Sequence, residues 1–291
     1  MNILLTGATG FIGQSLLRSL PLDEHRVFAL VRKIDNRLDT KITQLTLDTL
    51  PKLNEQIDVF INLAGENIAS QPWSNGRKKA LYESRVTLTN SIRSALQVPP
   101  SLVISMSAVG FYGVTRDGIY DENTPPAPGF AHELCNAWES AANAFNSNDT
   151  RVVIYRLGVV LGKGGALEKM RLPFKLGAGG PIAGGDQWFA WIHIDDVVKV
   201  ILTAIDNEAY RGTYNLVAPQ TITQAHFAKA YAASLGRPAV LPTPKWLMKL
   251  IFGEMSSLLT EGPQIIPKHL VDQGFAFQHK TIEQALDHIN W

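Results

Sequence analysis

The chain has 291 residues, of which 45% are hydrophobic and 18% charged, a composition typical of a folded globular protein and not of a disordered one. Its formal net charge of +1 argues against a dedicated nucleic-acid surface, and its single cysteine, Cys135, excludes an intrachain disulfide and fits a reducing compartment. The sequence has no apolar run of membrane-spanning length, so we expect a cytoplasmic protein without a membrane partner.

The first predicted element is a buried strand that turns directly into a helix. An apolar run at residues 3–5 leads into Gly7, Gly10 and Gly13. A helix-like stretch follows at residues 14–20. Such a turn leaves the first helical amides free to bind phosphate. Gly7 permits the tight turn, Gly10 lets backbone approach a pyrophosphate, and Gly13 lets helix and strand lie close together. The pattern predicts a dinucleotide site.

Strand-like runs alternate with helical patterns through the first two thirds of the chain. Further strands are predicted at residues 26–31, 43–47, 58–63, 101–105 and 151–156. Helical periodicity is found at residues 77–96 and 131–145. This alternation predicts an α/β fold with a doubly wound parallel Rossmann sheet.

Proline and glycine mark the connections between these elements. Residues 123–129 form a proline-rich loop, and the glycine-rich segment 162–185 is interpreted as a mobile or backbone-exposing loop over a ligand cleft. Prolines between residues 238 and 244 indicate a boundary. We therefore expect a Rossmann domain at residues 1–236 and a smaller, mainly helical, substrate-side domain at residues 237–291.

The end of the second predicted strand bears on which nucleotide is bound. Sites for NAD usually place an acid there to bind the ribose diol, but this strand runs into Arg32 and Lys33, with no acid before Asp35. Two cations suit a 2′-phosphate, although they could also be solvated charges at a strand end. The sequence favours NADP(H) over NAD(H).

Two further segments are candidates for the nucleotide site. Asp48, just past the third predicted strand, could meet the adenine amino group or cap a turn. Ala64 and Gly65, after the fourth, are small enough to let backbone lie against a cofactor, or are packing choices.

Several motifs resemble those of extended short-chain dehydrogenases/reductases, namely the glycine turn, Asn62-Leu63-Ala64-Gly65 and Ser105-Met106-Ser107-Ala108. More narrowly, the chain resembles the atypical subfamily called "epimerase family protein", or nucleoside-diphosphate-sugar epimerase-like. The stretches that carry this resemblance are residues 62–68, 107–113, 155–162, 179–182 and 191–194. Phe252-Gly253, Ile266-Pro267 and Gln273-Gly274-Phe275 resemble the subfamily's C-terminal domain of unknown function.

The resemblance implies NADPH binding by the glycine turn and the strand ends. Arg85 stands where the subfamily has an arginine near the cofactor, or is a surface helix charge. Val159 stands where extended members touch the nicotinamide amide. With the residue-based arguments, the expected cofactor residues are Thr6, Gly7, Thr9, Gly10, Phe11, Ile12, Gly13, Arg32, Lys33, Asp48, Leu63, Ala64, Gly65, Arg85 and Val159.

The usual catalytic residues are incomplete. Typical short-chain dehydrogenases use a Ser, a Tyr and a Lys four residues after the Tyr, which exchange a proton with the substrate oxygen. Ser107 matches the serine. Aligning the following helix on Glu139 puts Ala131 and Cys135 at the tyrosine and lysine positions. Neither residue can transfer that proton or supply that charge.

Ser107, Tyr112 and Glu133 remain as candidate catalytic residues. Tyr112 resembles a turn tyrosine that usually packs under the substrate loop, and Glu133 could be a solvated helix charge. His132, Cys135 and His193 are weaker candidates, and His193 is expected to anchor the start of a helix. Arg156 and Arg171 either bind an anionic substrate or pair with Glu168.

Two functions follow from these residues. The first is an NADP(H)-dependent oxidoreductase or epimerase acting on a small carbonyl or sugar-like molecule, as a monomer or homodimer. The second is a non-catalytic NADPH-binding sensor or scaffold. The histidines are scattered along the sequence with no metal-ligand spacing, so no metal is expected.

Overall fold

A computed structural model describes residues 1–114 and 118–289. The strands are β1 (Asn2–Thr6), β2 (Arg26–Leu30), β3 (Thr43–Leu45), β4 (Val59–Asn62), β5 (Leu102–Ala108), β6 (Ile119–Tyr120), β7 (Arg151–Leu157), β8 (Val159–Leu161), β9 (Trp188–Phe189), β10 (Trp191–His193), β11 (Gly212–Leu216), β12 (Ile222–Thr223) and β13 (Gln264–Ile265). The α-helices are α1 (Phe11–Ser19), α2 (Asn75–Tyr82), α3 (Leu88–Ala95), α4 (Phe130–Asn143), α5 (Gly165–Lys175), α6 (Ile194–Asp206), α7 (Gln224–Ser234), α8 (Lys245–Phe252), α9 (Ser257–Thr260), α10 (Lys268–Asp272) and α11 (Ile282–His288). A π-helical turn at Glu83–Thr87 joins α2 to α3.

A seven-stranded parallel sheet lies at the centre, in the order β11-β7-β5-β4-β1-β2-β3. Ile3, Leu4 and Leu5 of β1 are fully buried, because helices cover both faces of a parallel sheet. The chain winds outward in opposite directions from the neighbouring strands β1 and β4. The predicted doubly wound α/β fold is confirmed, and ligands of such sheets bind where the direction reverses.

The sequence reading missed the seventh strand, β11, which pairs with β7. Asn215 of this strand is fully buried, and a polar residue does not fit the apolar pattern of a core strand. The side chain is satisfied by distant groups, since Tyr112 Oη donates to its Oδ1 at 2.7 Å and its Nδ2 donates to the Ile266 carbonyl at 3.0 Å.

The interpretation of segment 162–185 as a loop is wrong in its middle, where α5 occupies Gly165–Lys175. The glycines stand outside the helix or at its first position, and Leu167 and Phe174 turn into the core. Helix formers between the glycines therefore decide the local structure.

The C-terminal segment shares the main core of the sheet domain. Leu270, Phe275 and Ile282 belong to the same buried cluster as β1 and α6, and β13 pairs with β6. The division at 236/237 stays a prediction, and the last two positions, 290–291, lie outside the described residues. Within the described part of the chain, no helix is both long and apolar enough to span a membrane.

Candidate functional site

The turn between β1 and α1 is shaped by glycines that have no room for a side chain. Gly7 has φ +71°, and a Cβ there would lie 2.7 Å from the Leu63 carbonyl oxygen. A Cβ on Gly13 would lie 2.2 Å from the Gly7 carbonyl oxygen. Gly10 donates its amide to that oxygen at 2.9 Å and begins the helix. The turn is therefore pressed against both the helix and the end of β4.

The start of α1 carries open amide donors. Gly10 is the N-cap, and no side chain of the described residues caps this end. Thr9 precedes it, and Phe11 and Ile12 open the first turn, where amides have no partner within a helix. These donors and the positive end of the helix dipole form a site for an anion at the switch point of the sheet.

Thr6 ties this turn to the loop after β4. Its buried hydroxyl donates to Asn62 Oδ1 at 2.9 Å and accepts from the amides of Leu63 and Ala64, both at 3.1 Å. The hydroxyl is thus used inside the protein. Its contribution to a bound nucleotide is to hold the two strand ends in register.

Arg85 lies against Gly65 and holds the same loop from its other side. Its Nη2 donates to the Glu66 carbonyl at 2.8 Å, and a Cβ on Gly65 would lie 2.9 Å from the guanidinium. The guanidinium also lies over the Trp138 ring, 5.1 Å from its centroid. Burial lowers the pKa of Arg85 to about 10, so it stays charged at neutral pH. A side chain at residue 65 would therefore displace the guanidinium from this position.

Arg32 and Lys33 are exposed just after β2, near the carboxyl ends of the parallel strands. Arg32 Nη1 lies 3.2 Å from Glu66 Oε1, and its side chain is 92% exposed. Arg77 meets the other oxygen of Glu66 at 3.3 Å. Such an exposed ion pair contributes little, so Arg32 can exchange Glu66 for a phosphate at small cost.

Asp48 and Val159 lie further from the glycine turn along the chain. Asp48 is exposed in the turn that follows the edge strand β3. In this turn the Thr46 amide donates to the hydroxyl of Thr49 at 2.9 Å. Val159 is half-buried in β8, and its amide donates to the Ala190 carbonyl at 2.8 Å. That amide is therefore not free to bind a ligand.

The strand β8 reaches the glycine turn through Phe11. A Cβ on Gly162, just after β8, would lie 2.8 Å from the Phe11 ring, and one on Gly165 would lie 3.0 Å from it. The glycines let this segment rest on the first residue of α1. The structure thus brings together the ends of β1, β4 and β8.

Ser107 lies near the end of β5, inside a buried hydrogen-bond network. It donates to Glu139 Oε1 at 2.7 Å, and Glu139 forms a two-pronged ion pair with Arg156, with both N–O distances at 2.9 Å. All three side chains are buried. Burial disfavours the charged guanidinium, but the hydrogen bonds that Arg156 donates to Glu139 and the charge of that carboxylate raise the pKa of Arg156. The predicted pairing with Glu168 is confirmed for Arg171, which lies 3.8 Å from it, and is wrong for Arg156, which pairs with Glu139.

Tyr112 belongs to the same network, whereas Glu133 is exposed on α4. The Tyr112 hydroxyl accepts from Arg156 Nη1 at 3.0 Å and donates to Asn215 at 2.7 Å. Burial raises the pKa of Tyr112 to about 12, and its side chain has no exposed surface. A phenol this weakly acidic remains protonated at neutral pH.

Ala131 and Cys135 lie in the first half of α4, next to Gly110. A Cβ on Gly110 would lie 3.5 Å from the Ala131 Cβ and 3.9 Å from the Cys135 sulfur. Burial, and then the charge of Glu139, raise the pKa of Cys135 to about 12. The position of the usual lysine therefore holds a neutral, buried thiol.

His193 anchors the start of α6, as expected from the sequence. It is the N-cap residue, and its Nδ1 accepts from the Asp195 amide at 3.2 Å. Burial and the neighbouring His279 lower the pKa of His193 to about 4. It is therefore neutral near neutral pH and is a poor acid for catalysis.

A family model described as "NAD dependent epimerase/dehydratase family" matches residues 3–216, and one described as "Domain of unknown function (DUF1731)" matches residues 243–289. Among relatives, the chain is 34% identical to epimerase family protein YfhF of Bacillus subtilis, covering 99% of this chain and 98% of the relative.

Solved structures agree with these matches. The crystal structure of human epimerase family protein SDR39U1 with NADPH has a TM-score of 0.91 and 34% identity, and covers 99% of each chain. A nucleoside-diphosphate sugar epimerase from Corynebacterium glutamicum has a TM-score of 0.76 and 28% identity, covering 100% of this chain and 59% of that one.

Proposed function

The chain belongs to the NAD-dependent epimerase/dehydratase family, and from that membership we propose that it binds NADP(H) where β1 and β4 end. The observation that carries this proposal is the glycine turn, whose missing side chains and open helical amides fit a pyrophosphate. The human relative SDR39U1, with 34% identity, was crystallised with NADPH, which supports this choice of cofactor.

The preference for NADP(H) over NAD(H) depends on the cations after β2. A 2′-phosphate at the adenosine ribose would lie near this strand end in folds of this kind. Arg32 offers a planar fork of donors, and Lys33 adds a second charge. Their exposure leaves both side chains able to turn toward the phosphate.

For the reaction, we propose hydride exchange with a small hydroxyl or carbonyl compound such as a sugar. NADP(H), when bound, would supply or accept the hydride, and water would supply or take up the proton of the substrate oxygen. Ser107 is the orienting residue, and its single proton points to Glu139. Its oxygen can then accept a hydrogen bond from a substrate hydroxyl. Arg156 donates to both carboxylate oxygens of Glu139 and so holds the acceptor of the Ser107 proton in place.

The second candidate, a sensor or scaffold that binds NADPH without turnover, is favoured by one observation. The tyrosine and lysine positions hold Ala131 and a neutral buried thiol, Cys135. We also propose that the protein is cytoplasmic, that it binds a small molecule, and that it is a monomer or a homodimer.

Binding is tested by titrating the protein with NADPH and NADH and following the nucleotide fluorescence. We expect NADPH to bind more tightly, and Arg32→Ala to weaken NADPH but not NADH by about ten- to a hundredfold, since a charged hydrogen bond is worth about 1.5–3 kcal/mol. Arg37→Ala is the matched control, because Arg37 is exposed in the same loop but pairs with Asp35. Equal affinities for the two nucleotides, or an unchanged preference in the Arg32 variant, would contradict the assignment.

Turnover is tested by screening nucleotide sugars and carbonyl compounds for NADPH oxidation, and alcohols and sugars for NADP⁺ reduction. The control is Gly10→Asp, which adds a good N-cap residue but places a carboxylate against the pyrophosphate. Activity that Gly10→Asp abolishes and Ser107→Ala reduces supports the enzyme. If the wild type binds NADPH but never exceeds the Gly10→Asp rate, the non-catalytic candidate is favoured.

A further inference from the structure

Three histidines and an aspartate from distant parts of the chain meet beside the start of α6. His193 ends β10, and Asp195 lies in the first turn of α6. His279 lies just before α11, and His288 is its last residue. Although 84 residues separate Asp195 from His279 in the sequence, Asp195 Oδ2 lies 3.1 Å from His279 Nε2.

All three imidazoles converge on the same carboxylate oxygen. Asp195 Oδ2 lies 3.3 Å from His193 Nδ1 and 3.3 Å from His288 Nε2, in addition to its contact with His279. The ligand atoms of His193, Asp195 and His279 all lie within 4.8 Å of one another. The ring centroids of His193 and His279 are 3.9 Å apart.

Hydrogen bonds alone do not satisfy this cluster. His193 Nδ1 accepts from the Asp195 amide at 3.2 Å, and the same nitrogen lies 3.3 Å from Asp195 Oδ2, which is also an acceptor. The other ring nitrogen, Nε2, is buried without a hydrogen-bond partner among the described residues, and the side chain is only 2% exposed. A cation bound between Nδ1 and Oδ2 would take the single lone pair of Nδ1 in place of the Asp195 amide, and the two facing acceptors would become two ligands.

We propose that His193, Asp195, His279 and His288 bind one divalent transition-metal ion, and that the ion is Zn²⁺. Imidazole nitrogens and a carboxylate oxygen are ligands that zinc prefers, at about 2.0–2.1 Å in a tetrahedron. Two ligands of such a tetrahedron are about 3.3–3.4 Å apart. The three distances from Asp195 Oδ2, 3.1–3.3 Å, fit this spacing. The ligand atoms of His193, Asp195 and His279 lie within 4.8 Å of one another, so the imidazole nitrogens would move closer together as the tetrahedron forms.

The surrounding structure holds one of the ligands in place. Asp196 is fully buried, and its carboxylate accepts from the Gln278 amide at 2.6 Å and the His279 amide at 3.1 Å. The backbone that carries His279 is therefore fixed to α6. Backbone support of this kind orients a metal ligand in advance and strengthens binding.

The site is open to solvent on one side. Asp195 is 39% and His288 61% exposed at the side chain, and both line a cavity of about 820 Å³ along α1 and α6. An ion can reach the site from this cavity. Once bound, it would connect the last helix to the sheet domain, so its expected role is to hold the C-terminal segment in place.

The test uses tag-free full-length protein treated with a chelator and titrated with ZnCl₂ by calorimetry and thermal unfolding. We expect one zinc per chain and a melting temperature that rises with zinc concentration, because a ligand that binds only the folded state stabilises it. Co²⁺ in place of zinc should give the visible absorption of a tetrahedral site.

The variants separate this site from weak binding by surface histidines. His279→Gln should reduce zinc affinity by about a hundredfold or more, as expected for loss of a ligand. His288→Gln, an exposed position, should fold even if the buried variant does not, and should also weaken zinc binding. His226→Gln is the matched control, since His226 pairs with Glu283 at 3.0 Å in an exposed two-residue contact. Wild-type protein that binds no zinc at one ion per chain, or a control variant that loses as much affinity as His288→Gln, would overturn the proposal.

Discussion

The hydroxyl of Ser107 donates its proton to Glu139 across 2.7 Å, and both side chains are buried. A serine held in this way presents only its lone pairs to a substrate. It can accept from a hydroxyl group, but it cannot donate to a carbonyl without first breaking its bond to Glu139.

Glu139→Gln should destabilise the protein by about 3 kcal/mol, because removing one partner of a buried ion pair leaves an uncompensated charge on the other, here Arg156. Urea unfolding measures this change. Asp23→Asn is the control, since Asp23 is 86% exposed beside Lys41 and should cost less than about 1 kcal/mol. If the two variants lost similar free energies of unfolding, the buried Glu139–Arg156 pair would contribute no more than an exposed one.

Gly13→Ala should destabilise the fold by about 3 kcal/mol and abolish nucleotide binding, because the new methyl group overlaps the Gly7 carbonyl. Gly76→Ala is the control, because it replaces a glycine by alanine away from the turn. Nothing lies within 4 Å of a Cβ on Gly76, which is in α2, so alanine there should stabilise by about 0.5–1 kcal/mol. Thermal unfolding and NADPH titration compare the two variants. If Gly13→Ala bound NADPH as tightly as the wild type, the turn could accommodate a methyl group, and the argument from the Gly7 contact would be wrong.

Tyr112 should make stability fall at high pH. Its pKa is raised to about 12 in the folded state, against about 10 in the unfolded chain, so its contribution is complete below pH 10 and is lost as the pH rises toward 12. Tyr112→Phe is less stable at neutral pH, because Arg156 and Asn215 lose a partner. The gap in unfolding free energy between wild type and variant should narrow by about 1 kcal/mol between pH 9 and pH 11. A constant gap would mean that the phenol titrates normally.

Cys135 should not react with thiol reagents in the native protein at pH 8. The side chain is buried and its pKa is raised to about 12, so almost no thiolate is present. The reagent should label one thiol per chain only after unfolding, and at the rate of unfolding. Rapid labelling of the native protein, measured by mass spectrometry, would show that α4 opens or that the thiol is activated.

The fold could be predicted where burial and periodicity agree. Residues 3–5 are apolar because both faces of β1 are covered, and most residues of β2, β4, β5 and β7 are apolar and buried for the same reason. The seventh sheet strand, β11, could not be predicted in this way, because Asn215 becomes a core residue only when Tyr112 and Ile266 satisfy it from far along the chain.

The glycine turn is more predictable than the rest of the candidate site. The turn is local, so the spacing of Gly7, Gly10 and Gly13 is enough to predict its position between β1 and α1. The partners of Ser107 and of Asp195 are not local. Histidines that look scattered in the sequence become neighbours only after the last helix folds back onto α6.

The β11 edge of the sheet is covered by residues that follow it in the sequence. The Thr213 carbonyl of β11 meets His269 Nδ1 at 2.8 Å, and Asn215 of the same strand bonds Ile266. During translation, β11 therefore leaves the ribosome before the residues that shield it. An uncovered strand edge invites pairing with other chains. A stalled or prematurely terminated nascent chain of this protein would be expected to aggregate or to require a chaperone.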